Sequence, residues 1–153
     1  MAKWRAPSYG GSAVSSDPRS GAVRCHARAA IVAAVSMVTS WPRGLPGLGT
    51  GAERLAANIT AMSGGRLTIK VYSAGELVPA LECLGAVANG TAQMGHDAAY
   101  YHTGKSEGCA FFTAFPFGFT MGEMAAWIKH GNGQKLWDEL YAPFGIRGFQ
   151  AGS

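Results

Sequence analysis

The sequence predicts an α/β fold with a mainly parallel sheet and flanking helices, and three observations lead to this prediction. From about Val35 onward, short apolar or alternating segments are interleaved with segments of helical period. Each predicted strand is separated from the next by a predicted helix, which is the crossover that parallel neighbours need. The chain has 153 residues, of which 48% are hydrophobic and 14% charged, so it is long enough for one domain with a single core.

The first strand is predicted over VSMVTS, which begins at Val35. A loop rich in glycine and proline, WPRGLPGLGT, leads from it into a helix. Leu55, Ile59 and Met62 recur at intervals of four and three residues, so they share one face of that helix. The Gly-Gly pair that starts at Gly64 ends the helix, since glycine adopts the conformation that terminates helices.

The second strand is predicted over RLTIKVY, where the residues alternate in character. Leu67, Ile69 and Val71 lie to one side, and Thr68 and Lys70 lie to the other. This alternation is typical of a strand with one covered face.

A second crossover helix is predicted to begin at Pro79, since proline suits the first helical turn. It carries Leu81, Leu84 and Val87, and the Asn-Gly pair at Asn89 stops it. The segment AQMGHDAA is predicted to form the third strand.

Two further helices are predicted toward the end of the chain. Thr120 and Glu123 form the T-x-x-E pattern of a capping box at the start of the first. The second carries an apolar face made of Leu136, Trp137, Leu140 and Tyr141. The segment IRGF is then expected to begin another strand, and FFTAFPFGF, between the third strand and these helices, is interpreted as a packed aromatic wall.

The first part of the chain differs in composition from the rest. It is rich in Ser, Gly, Pro and Arg, shows no apolar period, and contributes much of the net charge of +4. Its basic residues are not interleaved with aromatic residues, so no nucleic-acid partner is predicted. The apolar run AAIVAAVSMV is too short to span a membrane and merges with the first strand, so it makes no convincing signal peptide.

The glycine loop between the first strand and the first helix raises the question of nucleotide binding. Gly47, Gly49 and Ala52 satisfy the pattern G-x-G-x-x-A, and such a loop directs backbone N–H groups toward a phosphate or a carboxylate. Two prolines, however, make the turn long and stiff, and no acidic residue ends the second strand. The alternative function left open is a small nucleotide-binding, oxidoreductase-type domain that uses the 47–52 loop.

Other polar and aromatic residues cluster after the third strand. Tyr100 and Tyr101 follow it at the carboxyl end, where open parallel sheets bind ligands. His96 and Asp97 are given a structural or surface role, because successive strand residues point to opposite faces and would not share a ligand. No arrangement typical of a catalytic centre stands out, so we predict that the protein is not an enzyme, and Cys25, Cys83 and Cys109 form no CxxC pair.

Several segments from Val35 onward resemble the N-terminal part of DctP-type solute-binding proteins of TRAP transporters, in the branch that binds 2-oxo acids and similar monocarboxylates. The resemblance is carried by SAGELVP, by GTAQMGHDAAYYHTGK with its tandem tyrosines, by FPFGFT and by LWDELYAPFG, which occur in this order. It implies a partial type II periplasmic-binding-protein lobe and a DctP-like domain over 35–153, truncated relative to the family. Residues 1–34 match no part of the family and are expected to be disordered or to reflect a misassigned start.

The resemblance also implies a function and a set of site residues. Proteins of this kind bind a small carboxylate, such as a 2-oxo acid or a C4-dicarboxylate, in the periplasm and deliver it to TRAP membrane permease subunits. Carried over to this sequence, the ligand-binding residues are Trp41, Tyr100 and Tyr101, and Glu76 matches a mostly structural position. The carboxylate-pairing arginine and the cation ligands of the family lie beyond Ser153, so no cofactor or metal is assigned to this chain, and we expect the chain alone to bind its ligand weakly.

Overall fold

The computed structural model describes residues 33–151. Three strands, β1 (Ala33–Thr39), β2 (Leu67–Tyr72) and β3 (Met94–His96), alternate with helices α1 (Leu48–Met62) and α2 (Cys83–Ala88), and α3 (Met121–His130) and α4 (Gly133–Tyr141) follow. Short 3-10 turns cover Ala80–Glu82, Ala99–His102, Glu107–Phe112 and Ala142–Phe144. The leader predicted over 1–34 lies outside the described residues, except for Ala33 and Ala34, which begin β1.

The three strands form one parallel sheet in the order β2-β1-β3, which confirms the predicted α/β fold. Val35 pairs with Ile69 on one side of β1, and Val38 pairs with Gly95 on the other. In this order the chain leaves β1 toward one edge and later crosses to the opposite edge. Such a reversal opens a crevice at the carboxyl ends of β1 and β3, which is where open α/β sheets bind ligands.

Helix α1 packs most closely through small residues, while Leu55 and Ile59 of the predicted apolar face are only partly buried. Gly49, Ala52 and Ala56 are its buried residues, whereas Met62 is 79% exposed. A Cβ atom added at Gly49 would lie 2.8 Å from the carbonyl oxygen of Pro42, so the helix start passes too close to the loop for any larger residue. Small residues let the helix approach its neighbours closely, and the large side chains are left at the edge of this contact.

The second crossover is shorter and less regular than predicted. The segment begins as the 3-10 turn Ala80–Glu82 with Leu81 exposed, and α2 then buries Leu84 and Val87. Gly90 ends it with φ of 86°, as the Asn-Gly pair predicted. β3 is also shorter than predicted, because Ala99 already belongs to the next 3-10 turn.

The two later helices begin and pack largely as predicted. The backbone N–H of Thr120 donates to Glu123 Oε2 at 2.8 Å, and the N–H of Glu123 donates to Thr120 Oγ1 at 3.4 Å, which is the expected capping box. The first of these bonds is the largest cause of the lowered pKa of Glu123. Trp137 and Tyr141 of α4 are buried, whereas Leu136, predicted on the same face, is 47% exposed because it lies toward the edge of that face. Within 33–151, the predicted final strand is reduced to an isolated bridge at Arg147.

The core is centred between β1, α2 and the later helices, with Val38, Leu84, Val87 and Tyr141 among its most buried residues. Phe112 stacks on Trp127 and on Trp137, with ring centroids 5.5 Å and 5.0 Å apart. No helix in the described part of the chain is long and apolar enough to cross a membrane.

The aromatic segment FFTAFPFGF does not form the packed wall that was predicted. Phe112 is buried, but four others are exposed, namely Phe111, Phe115, Phe117 and Phe119. These four help to line an apolar groove of about 780 Å³ beside Trp127 and Leu140. The sequence pattern identified apolar side chains, but the described residues supply no layer that covers them.

Cys83 is expected to resist alkylation in the folded protein. It is buried, burial raises the pKa of its thiol to about 11, and Ser40 Oγ donates a hydrogen bond to its sulfur at 3.4 Å. At pH 8 roughly one Cys83 side chain in a thousand is then a thiolate, which is the reactive form. Iodoacetamide labelling followed by mass spectrometry of the Cys83 peptide should show little product until urea unfolds the chain. Equal labelling rates in native and unfolded protein would contradict this prediction.

Candidate functional site

The three predicted ligand-binding residues lie together at the carboxyl ends of β1 and β3. Trp41 follows β1 by two residues, and Tyr100 and Tyr101 lie in the 3-10 turn after β3. The ring centroids of Trp41 and Tyr101 are 5.8 Å apart, and those of Tyr100 and Tyr101 are 4.5 Å apart. The structure therefore brings residues from two separate chain segments into one aromatic cluster, hereafter the Trp41–Tyr101–Tyr100 cluster.

Exposure increases along this cluster from the protein interior to the solvent. Trp41 is 8% exposed, Tyr101 is half-buried, and Tyr100 is 41% exposed. Hydrogen bonding to Tyr100 raises the pKa of the Tyr101 hydroxyl above its ordinary value. A protonated phenol hydroxyl can donate a hydrogen bond, which is what recognition of a carboxylate needs.

His96 fixes the orientation of Trp41. The indole Nε1–H donates to His96 Nδ1 at 2.9 Å, so this nitrogen of the imidazole carries no proton. Burial lowers the pKa of His96, which keeps the ring neutral and the acceptor available. No sequence pattern marks this contact, and its only signal is the position of His96 at the end of a strand adjacent to the strand that precedes Trp41.

A buried pair, Asp97 and His102, underlies the tyrosine turn. His102 Nε2 lies 2.6 Å from Asp97 Oδ2, and the two side chains are 2% and 0% exposed, respectively. The second carboxylate oxygen, Oδ1, is buried and has no hydrogen-bond partner among residues 33–151. The sequence placed these residues near each other but gave no sign that they pair.

His96 and Asp97 are adjacent but serve different partners, as their positions on a strand end predicted. His96 contacts Trp41, whereas Asp97 contacts His102. In the part of the chain that the structure describes, no group of three or more His, Cys, Asp or Glu side chains is arranged to hold a metal ion.

The glycine loop closes on itself at the start of α1, where three of its N–H groups donate to acceptors within the loop. The N–H groups of Gly49 and Thr50 both donate to the carbonyl oxygen of Leu45, at 3.0 Å and 3.1 Å. The N–H of Gly47 donates to Thr50 Oγ1 at 3.2 Å. A phosphate-binding loop needs such groups free, so the structure contradicts the expectation of available N–H groups and does not support the nucleotide-binding alternative.

An exposed ion pair connects the loops that follow β1 and β2. Arg43 Nη2 lies 2.6 Å from Glu76 Oε1, and Glu76 Oε2 accepts a hydrogen bond from the Ser73 N–H at 2.7 Å. The bond to Arg43 is the largest cause of the lowered pKa of Glu76. Beside it, the Ala74 N–H donates to the carbonyl oxygen of Trp41 at 3.0 Å, so the second loop also supports the backbone of the aromatic cluster.

Comparison with known proteins identifies relatives of this architecture. The sequence model of the family described as bacterial extracellular solute-binding protein, family 7 (DctP) matches residues 37–152. A monocarboxylate 2-oxoacid-binding periplasmic protein of Nostoc sp. is 44% identical over 117 residues, which are 76% of this chain and 32% of that protein.

Solved structures of TRAP solute-binding proteins agree with this match. The protein of Pseudoalteromonas atlantica, with bound sodium and pyruvate, is 37% identical with a TM-score of 0.70, over 72% of this chain and 34% of the other. The protein of Bordetella bronchiseptica, with calcium and picolinate, is 32% identical with a TM-score of 0.71, over 72% of this chain and 33% of the other. This chain thus spans about a third of the length of these relatives. The family match, which covers most of the chain, shows that it belongs to the bacterial extracellular solute-binding protein family 7, the DctP family.

Proposed function

We propose that the protein represented by this chain is the solute-binding subunit of a TRAP transporter for 2-oxo acids or similar small carboxylates. The observation that carries the proposal is the Trp41–Tyr101–Tyr100 cluster at the carboxyl ends of β1 and β3. We assign ligand contact to these three side chains. Glu76 and Arg43 are assigned to the support of the surrounding loops.

The chemistry of the cluster supports this assignment. Protonated phenol hydroxyls donate hydrogen bonds to a carboxylate, and the indole face offers an apolar surface for the short carbon chain of a 2-oxo acid. The exposed Tyr100 lies at the rim and the half-buried Tyr101 lies behind it. The 2-oxoacid-binding relative and the pyruvate-bound relative support the substrate class.

We further propose a periplasmic location and delivery of the ligand to the TRAP membrane permease. The relative from Nostoc is periplasmic by its name, and the relative from Pseudoalteromonas is a TRAP periplasmic solute-binding protein. Some of those structures contain sodium or calcium. We propose no residue of 33–151 as a ligand of that cation.

A chimera tests the proposed function. Residues 37–151 would replace the matching N-terminal third of the Pseudoalteromonas relative, and isothermal titration calorimetry would measure pyruvate binding. We expect a Kd within about tenfold of that of the parent, which corresponds to about 1.4 kcal/mol. Trp41→Ala and Tyr101→Ala should each weaken binding by about tenfold or more, because each removes an aromatic surface of the cluster.

Two controls accompany the chimera. Lys129→Ala, at an exposed position of α3, should leave pyruvate binding unchanged. The 153-residue chain alone should bind at least about a hundredfold more weakly, because closure of two lobes is what encloses such ligands. A folded chimera that binds no pyruvate, or whose Tyr101→Ala variant binds as tightly as the unsubstituted chimera, would contradict the proposal. Micromolar binding by the 153-residue chain would contradict the need for a second lobe.

A further inference from the structure

We infer that Asp97 and His102 are positioning residues, which hold the turn that presents Tyr100 and Tyr101 to the ligand. The inference rests on the proposed function in calling these tyrosines ligand-facing. Its structural content, that the buried pair determines the conformation of the turn, is independent of any ligand.

The pair closes the turn from end to end. Asp97 precedes the 3-10 turn Ala99–His102 and His102 is its last residue, so their contact of 2.6 Å ties together the two ends of the segment that carries both tyrosines. Backbone bonds also hold the ends of this segment: the Tyr101 N–H donates to Ala98 O at 3.1 Å, and His102 O accepts from the N–H groups of Lys105 and Ser106 at 2.9 Å and 3.1 Å. A 3-10 turn of four residues has little stability of its own, so a side-chain tie across it has a large share in its conformation.

His102 is also the main polar partner of the buried Asp97 carboxylate. Asp97 Oδ1 has no partner within the described part of the chain, so His102 is the side chain that compensates the carboxylate. An ionised carboxylate only accepts hydrogen bonds, and we therefore assign the proton to His102 Nε2, which donates to Asp97 Oδ2. A buried carboxylate with one good partner tolerates little displacement of that partner.

His96 and Asp97 together hold both sides of the aromatic cluster. His96 accepts the indole N–H of Trp41, and Asp97, the next residue, holds the turn with Tyr101. A further side-chain contact to the turn backbone is the Tyr100 N–H to Thr113 Oγ1 bond at 3.1 Å, which is exposed. The relative placement of Trp41 and Tyr101 therefore depends on two adjacent residues at the end of β3.

The test compares local and global order in the 153-residue chain by NMR without ligand. The double variant Asp97→Ala/His102→Leu removes both members and so leaves no unpaired buried charge. We expect the Tyr101 and Thr103 amides to exchange at least tenfold faster relative to the Met37 and Val38 amides of β1, and the contact between the Trp41 and Tyr101 rings to be lost from NOE spectra. A purely structural role would accelerate both sets of amides together.

Three further measurements keep the test decisive. His102→Gln, whose side-chain amide can donate to Asp97, should keep the exchange ratio within threefold of the unsubstituted chain, and Glu139→Ala, in the exposed Lys135–Glu139 pair of α4, should leave it unchanged. If the double variant does not fold, the ¹⁵N shifts of the His102 ring in the unsubstituted chain decide, since Nε2 must carry the proton. An unchanged exchange ratio and ring contact in the double variant, or an unprotonated Nε2, overturns the inference. Because no ligand is used, the outcome is separate from that of the pyruvate titration.

Discussion

Replacing His102 with alanine is expected to lower the free energy of unfolding by about 3–5 kcal/mol, because it leaves the Asp97 carboxylate buried without its partner. The two side chains are 2% and 0% exposed, so solvent cannot replace the lost contact without local opening. Urea unfolding followed by far-UV circular dichroism measures the effect.

Two comparisons make the His102 prediction specific. His130→Ala, at the exposed end of α3, should change the stability by less than about 0.5 kcal/mol. The double variant Asp97→Ala/His102→Ala should be more stable than His102→Ala, since it contains no unpaired buried charge. A loss below about 1 kcal/mol for His102→Ala would show that the carboxylate finds another partner.

Replacing Trp137 with alanine should lower the free energy of unfolding by about 3–5 kcal/mol, in this case through lost packing. The indole is buried, stacks on Phe112 with an interplanar angle of 14° and meets Tyr141 edge-on at a centroid distance of 5.9 Å. It also fills the space directly above Gly148, where no Cβ atom could fit. Both helix α4 and the segment after it should therefore loosen.

Leu136→Ala is the matched control for Trp137→Ala. Leu136 is the preceding residue of α4 but is 47% exposed, so its truncation should cost less than about 1 kcal/mol. Urea midpoints measure both variants, and near-UV circular dichroism reports the aromatic stack. Equal losses for the two variants would contradict the assignment of Trp137 to the core.

Much of the fold could be predicted because its signals are local. Alternation over RLTIKVY identified β2, the T-x-x-E pattern identified the start of α3, and strand-helix alternation identified parallel pairing. The buried face of α1 was predicted only in part, because periodicity marks large apolar side chains: Leu55 and Ile59 are partly buried, but Met62 is exposed. Whether Met62 or Ala56 is buried depends on how closely the helix approaches its neighbours, which is a property of the assembled structure.

The position of the candidate site could be predicted from the sequence, but its internal side-chain contacts could not. Trp41, Tyr100 and Tyr101 were assigned from the family resemblance and from their place after parallel strands, and the structure brings them together. The His96–Trp41 bond and the Asp97–His102 pair depend on how two chain segments meet and on a 3-10 turn within a segment predicted partly as strand. No periodic pattern in the sequence indicates side-chain pairs of this kind.

The arrangement at the end of β3 determines how the effects of substitutions in this site combine. His96 and Asp97 share one peptide bond, and each holds one side of the aromatic cluster. A substitution that shifts this bond moves Trp41 and Tyr101 together, so the effects of changes at these two positions are coupled and not additive. The site is therefore expected to diversify by concerted replacement of several residues, with strong epistasis between positions 41, 96, 97, 101 and 102.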